Sequence, residues 1–228
     1  MGSRAGGVSA PPWDSLNLGA MVGDDVQAVA ENRRRFAASC GAQPVWLHQV
    51  HGRRVVRLGH DRDLQADAAW TDEPGLACTV LVADCLPVLL ARRDGRAVAA
   101  AHAGWRGLAG GVAEAALEAL CEGSGCGPDE VVAWLGPCIG PRRFEVGADV
   151  VAAFPESPAL FVARPRPDGS PRWLADLAGL ARARLERAGV AAVSGGSWCT
   201  VEDRERFFSY RRDGVSGRMA AAVWIPGA

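Results

Sequence analysis

An apolar stretch from Leu76 to Leu90 governs any fold this chain can adopt. It carries β-branched residues at Thr79, Val80, Val82 and Val88 and reads as strand. Arg93-Asp94-Gly95-Arg96 follows as a turn signal, and Ala97 to Ala101 reads as strand again. A two-residue turn at Asp94-Gly95 and a four-residue loop over Arg93–Arg96 impose the same register, with Cys85 opposite Gly104. His102 then lies two residues along on the same face, which makes Cys85 and His102 diagonal neighbours about 7–8 Å apart at the backbone. A three-residue loop would break this parity, and Pro87 makes pairing imperfect nearby.

The remaining pattern alternates without a regular βαβ period. Asp24–Ala38, Leu108–Cys121, Gly147–Phe154 and Asp176–Ala188 read as helices. Pro44–Leu47, Arg54–Leu58, Val131–Leu135 and Gly217–Ile225 read as strands. This predicts α/β or α+β mixed sheets with helices packed outside. With 228 residues, 49% of them hydrophobic, the chain suits one domain with a large core. Dense Gly and Pro in residues 1–15 predict a flexible N-terminal segment before a single catalytic domain over 16–228. A formal net charge of −1 argues against a nucleic-acid partner, and the absence of a long apolar run argues against a membrane partner. Seven Cys with no export signal fit reduced thiols in a cytoplasmic protein, and a monomer is expected.

Only four His are present, at 48, 51, 60 and 102, which excludes a blue-copper plus trinuclear-copper oxidase. One mononuclear centre is the most that imidazole can supply. Cys85 and His102, converging across the hairpin, can share an ion at about 2.3 Å from sulfur and about 2.0 Å from nitrogen, with Gly104 leaving room. Asp84 points to the other face. His48 and His51 differ by three and face opposite ways in extended chain, so only one joins; Gly52 after His51 suits a bend into a pocket. The pattern equally fits a core thiol and a satisfied buried imidazole. Three protein ligands with an open fourth position would be a catalytic rather than a structural zinc arrangement.

Three loops carry further candidates. Small residues in His102–Gly107 let backbone N–H groups approach an anion, with Arg106 as a bidentate partner. Gly136–Pro141 presents Cys138 between glycines, as a carbonyl-binding loop or a plain turn. Phe207–Arg212 combines aromatic faces with guanidinium, and includes Ser209 and Arg212.

His48-Gln49-Val50-His51-Gly52, Ala83-Asp84-Cys85-Leu86-Pro87-Val88, Ala101–Gly107, Gly136–Gly140 and Phe207–Asp213 together resemble the purine nucleoside phosphorylase family of YfiH, YlmD and FAMIN type, formerly called polyphenol oxidase or multicopper-laccase-like. The resemblance runs from about Leu16 to Ile225. It implies a single-domain layered αββα architecture related to cytotoxic-necrotizing-factor-type toxin domains. It also implies a metal held by His51, Cys85 and His102, with Zn2+ as cofactor and Cu2+ as the other candidate. The implied partners are purine nucleosides and phosphate, and the implied activities are phosphorolysis of adenosine, inosine, guanosine and methylthioadenosine, with adenosine deamination. Zinc lowers the pKa of a coordinated water to about 7, which gives deamination a route; Glu145 and Asp84 are the candidate proton carriers. Arg106, Arg212, Gln49, Cys138 and Ser209 are the candidate substrate and phosphate contacts. Thr200-Val201-Glu202 departs from the family pattern, which has an aromatic after the Thr. Three other functions fit parts of the pattern: a Cys–His amide hydrolase in peptidoglycan-precursor editing with Cys85 as nucleophile, a weak copper-dependent phenol oxidase, and a non-enzymatic binding protein.

Overall fold

The apolar stretch from Leu76 to Leu90 folds not as one strand but as two, Leu76–Val82 and Leu86–Arg92, which belong to different sheets. The chain changes sheet at Ala83-Asp84-Cys85, where Asp84 takes φ 86°. That left-handed backbone is uncommon outside glycine and tolerated best by Asp and Asn.

The computed structural model describes residues 1–227. In chain order the elements are α1 (Val26–Cys40), β1 (Gln43–Trp46), β2 (Val55–Arg57), β3 (Ala68–Thr71), β4 (Leu76–Val82), β5 (Leu86–Arg92) and β6 (Val98–Ala103). There follow α2 (Trp105–Ala109), α3 (Val112–Ser124), β7 (Val131–Leu135), β8 (Glu145–Val146), α4 (Ala148–Ala152), β9 (Phe161–Ala163) and β10 (Trp173–Ala175). The chain closes with α5 (Leu177–Arg187), β11 (Ala192–Gly195), α6 (Tyr210–Asp213) and β12 (Met219–Trp224). Strands β1-β4-β12 form one sheet, β11-β7-β5-β6-β3-β2 a second, and β8-β10-β9 a small third. Both larger sheets mix parallel and antiparallel neighbours.

Three apolar layers hold the stack together. Phe36 of α1 packs with Leu18, Ala77 and Ala220 on the outer face of the three-stranded sheet. Between the sheets lie Val56, Ala69, Cys78, Val80, Val98, Ala100 and Ala221. On the far face of the six-stranded sheet, Ala99, Ala101, Leu86, Val88 and Leu90 meet Ala116 and Leu120 of α3 and Leu180 and Leu185 of α5. The order helix, sheet, sheet, helix is the expected αββα stack. Its physical basis is visible in β6, every residue of which is buried. Alternate residues serve opposite cores, so Ala100 faces the other sheet while Ala99 and Ala101 face α3.

Two other expectations need amendment. The predicted Leu108–Cys121 helix is interrupted at Gly110-Gly111, with Gly111 at φ 86°, and resumes as α3. Residues 1–15, expected to be flexible, run as a docked strap. Gly2 N donates to Ala220 O at 2.9 Å, Arg4 N to Arg206 O at 2.8 Å, and Leu16 N to Arg4 O at 2.7 Å. Buried Asn32 on α1 accepts from Val8 N and donates to Ser9 Oγ, Ser15 O and Asn17 O, which fixes the strap to the helix.

Candidate metal centre and its cavity

The β5–β6 hairpin has the register read from its turn: Leu86 pairs with Ala103, Pro87 with His102, and Val88 with Ala101. Cys85 and His102 therefore point into the space between the sheets, on the same faces as Leu89 and Ala100. His51 arrives on the loop that leaves β1 in one sheet for β2 in the other, with φ 60°. The ligand atoms of His51, Cys85 and His102 all lie within 4.8 Å of one another. Cys85 Sγ is 3.9 Å from His51 Nε2. His51 and Cys85 sit where the chain crosses between sheets, each crossing using a left-handed residue, His51 or Asp84, and His102 meets them from the end of β6.

Gly104 completes the cradle. A Cβ there would lie 2.9 Å from Cys85 Sγ and 3.0 Å from His51 Cδ2, closer than ordinary contact allows. Two imidazoles and a thiolate at this spacing, with no side chain filling the gap, fit a borderline-soft divalent ion.

The electrostatics favour charged ligands. Burial alone would push the Cys85 thiol up, but hydrogen bonds from the His102 and His51 rings outweigh it and bring Cys85 to about 6. Burial would lower the His102 imidazolium, yet the Asp67 carboxylate and Cys85 thiolate raise it to about 9. Both shifts favour the thiolate and imidazolium forms of the pair when no metal is bound. By contrast, burial pushes the Cys78 and Cys138 thiols up, with no imidazole to reverse it.

A cavity of about 830 Å³ opens over the trio. Its walls are Gly19–Val22 from the loop between the strap and α1, Arg33 of α1, Trp46–His51, Gln65, Leu81, Ala83, Tyr210 and Arg218. Arg33 stacks its guanidinium 4.4 Å from the Trp46 ring centroid and donates Nε to Leu18 O. Among the described residues the Arg218 guanidinium donates only to the Ser216 and Gly217 carbonyls. Burial lowers its pKa, against the pull of Cys85 and Asp84.

The other sequence candidates fall in different places. Gln49 lines the cavity, but its amide pairs with Leu81, donating to the carbonyl at 2.9 Å and accepting from the N–H at 2.8 Å. Asp84 accepts from Thr200 Oγ1 at 2.6 Å and Arg211 N at 2.7 Å, so its carboxylate anchors the Thr200 turn and the start of α6 rather than lining the cavity. Arg212 spends its guanidinium on the Thr200, Val201 and Phe207 carbonyls and on Asp213. Ser209 is buried and caps α6 by accepting from Arg212 N. Cys138 is a buried free thiol whose backbone forms an isolated parallel β-bridge with that of Cys199. Arg106 is exposed against its neighbour Trp105. Glu145 pairs with Arg166 in a separate depression. Of the segment Phe207–Arg212, Tyr210 reaches the cavity, whereas sequence reasoning missed Asp67, Arg33, Trp46 and Arg218. They reach the site only through sheet register and strap docking, and no local motif marks them.

The whole chain has clear relatives. Residues 1–226 match the family described as multi-copper polyphenol oxidoreductase laccase. A Pseudomonas aeruginosa protein named purine nucleoside phosphorylase is 52% identical, covering 98% of this chain and 91% of that protein. The Escherichia coli purine nucleoside phosphorylase YfiH is 48% identical, with the same coverages of 98% and 91%. Among solved structures, a Neisseria meningitidis protein superposes with a TM-score of 0.90 at 48% identity, covering 99% and 92% of the two chains. YlmD of Geobacillus stearothermophilus gives 0.88 at 31% identity, covering 99% and 90%. With this fold, this trio and relatives matched along nearly their full length, the chain belongs to the YfiH/YlmD family.

Proposed function

We propose that the protein is a metal-dependent purine nucleoside phosphorylase, converting adenosine, inosine, guanosine or methylthioadenosine and phosphate to the free base and the 1-phosphorylated sugar. The observation that carries this reading is the placement of the His51-Cys85-His102 trio at the base of a cavity holding two guanidinium groups and two aromatic rings. The curated relatives named for this activity support it.

Each group has a chemical task. Trp46 and Tyr210 offer faces to a flat purine. Arg33 and Arg218 supply the positive charge that a phosphate dianion requires beside the ribose C1′. Zinc held by His51, Cys85 and His102 would supply Lewis-acid polarisation. The loop Gly19–Val22 and the apolar rim at Val50 narrow the access of water. Among the described residues no carboxylate lines the cavity, so adenosine deamination would draw on His48, which does line it, to move a proton.

Incubation with adenosine and phosphate should yield adenine and ribose 1-phosphate, and omission of phosphate should stop base release. Base released at the same rate without phosphate, or no turnover of any purine nucleoside, would refute the reading.

One arrangement favours a second reading: Cys85 lies within 4.8 Å of the His102 ring nitrogen, with both shifts toward the thiolate and imidazolium pair that a cysteine hydrolase uses. Chelation separates the two. The metal enzyme loses activity and regains it with zinc, whereas the hydrolase is indifferent to chelator and permanently stopped by alkylation.

A further inference from the structure

Asp67 has no accessible surface, yet it carries a carboxylate. A buried carboxylate persists only where donors surround it, and here four do. Oδ1 accepts from His51 N at 3.0 Å and His102 Nδ1 at 2.8 Å. Oδ2 accepts from Val50 N at 3.0 Å and Gly52 N at 2.7 Å. The main chain of Asp67 is fixed as well, accepting from His102 N at 2.7 Å.

We propose that Asp67 is the positioning residue that holds both imidazoles of the trio ready for a metal before it arrives; this rests on the metal-centre reading above. The geometry supplies two independent grips. Three consecutive N–H groups converge on one carboxylate, forming an anion nest that sets the loop at residues 50–52 and keeps His51 at φ 60°. Without that anchor the loop has no reason to hold a non-glycine residue in the left-handed region. The second grip is on the ring of His102. With Nδ1–H committed to Asp67, Nε2 faces the side where Cys85 lies and is the nitrogen that gives up its proton when a metal binds. One carboxylate thus links two ligands that are 51 residues apart in sequence. Asp67 does not line the cavity, so it acts through the two ligands rather than on substrate.

Asp67→Asn is the sharp probe. The amide keeps the volume but turns one oxygen into an NH2 group, which must face two donors. Facing His102, it demands a lone pair on Nδ1 and moves the ring proton to Nε2, where it blocks coordination. Facing Val50 and Gly52, it repels the loop that carries His51.

Zinc affinity measured by competition with a chromophoric chelator should fall about 10- to 100-fold in the variant. The melting-temperature gain on adding zinc should shrink with it. A merely structural role would lower the melting temperature of zinc-free protein and leave the affinity of its folded fraction at the wild-type value; that result overturns the proposal. Should the variant not fold, the wild-type protein answers alone. Long-range 1H–15N NMR of the zinc-loaded protein should place the His102 proton on Nδ1, and a proton on Nε2 overturns the proposal. Neither readout involves turnover. Wild-type protein that binds zinc but leaves nucleosides untouched removes the phosphorylase reading and not this one, whereas wild-type protein that takes up no zinc removes this one.

Discussion

Cys85 carries the chemistry of the centre, because its pKa is pulled down where burial pushes those of Cys78 and Cys138 up. A free thiol ionises near 8.5, but the imidazoles beside Cys85 reverse the effect of burial and hold it at about 6. Iodoacetamide should therefore alkylate Cys85 in chelator-stripped protein with a rate that rises through about pH 6. Zinc should protect it, and a midpoint above pH 8 would contradict the thiolate assignment. The same shifts affect stability. The depressed pKa of Cys85 stabilises the fold until pH falls through about 6, and the raised pKa of His102 does so until pH rises through about 9. Zinc-free protein should melt highest between these limits. Gly104→Ala tests the cradle, because its new Cβ would meet Cys85 Sγ at 2.9 Å. We expect about 1–3 kcal/mol of destabilisation in urea unfolding and a loss of zinc affinity by competition titration. Affinity unchanged from wild type would show that the cradle is not used.

The β4-to-β5 crossing turns these side chains into one centre. Asp84 makes the crossing with a left-handed backbone and ties it to Thr200 and Arg211. Asp84→Ala loses both anchors and keeps the strain, so it should cost about 2–4 kcal/mol by urea unfolding. Asp84→Asn, which tolerates positive φ and keeps an acceptor, should cost less than half of that. Equal losses would mean that the loop is held otherwise. This crossing also shows where sequence reasoning runs out. The hairpin register followed from Asp94-Gly95 and correctly set His102 diagonal to Cys85. The same apolar run gave no sign that Val82 and Leu86 belong to separate sheets, since both sheets demand the same residue types. Helices with caps and apolar stripes, such as α1 and α5, were legible. The short strands β8, β9 and β10 were not, because two or three residues carry no period. Arg212 looked like a phosphate ligand because its guanidinium is written in the sequence and the carbonyls that occupy it are not.

The strap, α1 and the cavity form one connected unit, because Asn32 joins residues 8, 9, 15 and 17 to the helix and Gly19–Val22 then become a cavity wall. Asn32→Ala strands several buried polar groups. It should cost about 2–4 kcal/mol by urea unfolding and raise KM for nucleoside more than it lowers kcat. A stable variant with unaltered KM would detach the strap from function. Among the described residues no helix is long and apolar enough to cross a membrane. The central claim is that one ion at His51, Cys85 and His102 is needed for phosphorolysis. The most direct measurement is ribose 1-phosphate formation by chelator-stripped protein titrated with zinc. We predict that activity returns linearly, saturates at one equivalent, and does not return in Cys85→Ala. Full turnover in stripped protein, or undiminished turnover in that variant, would contradict the account.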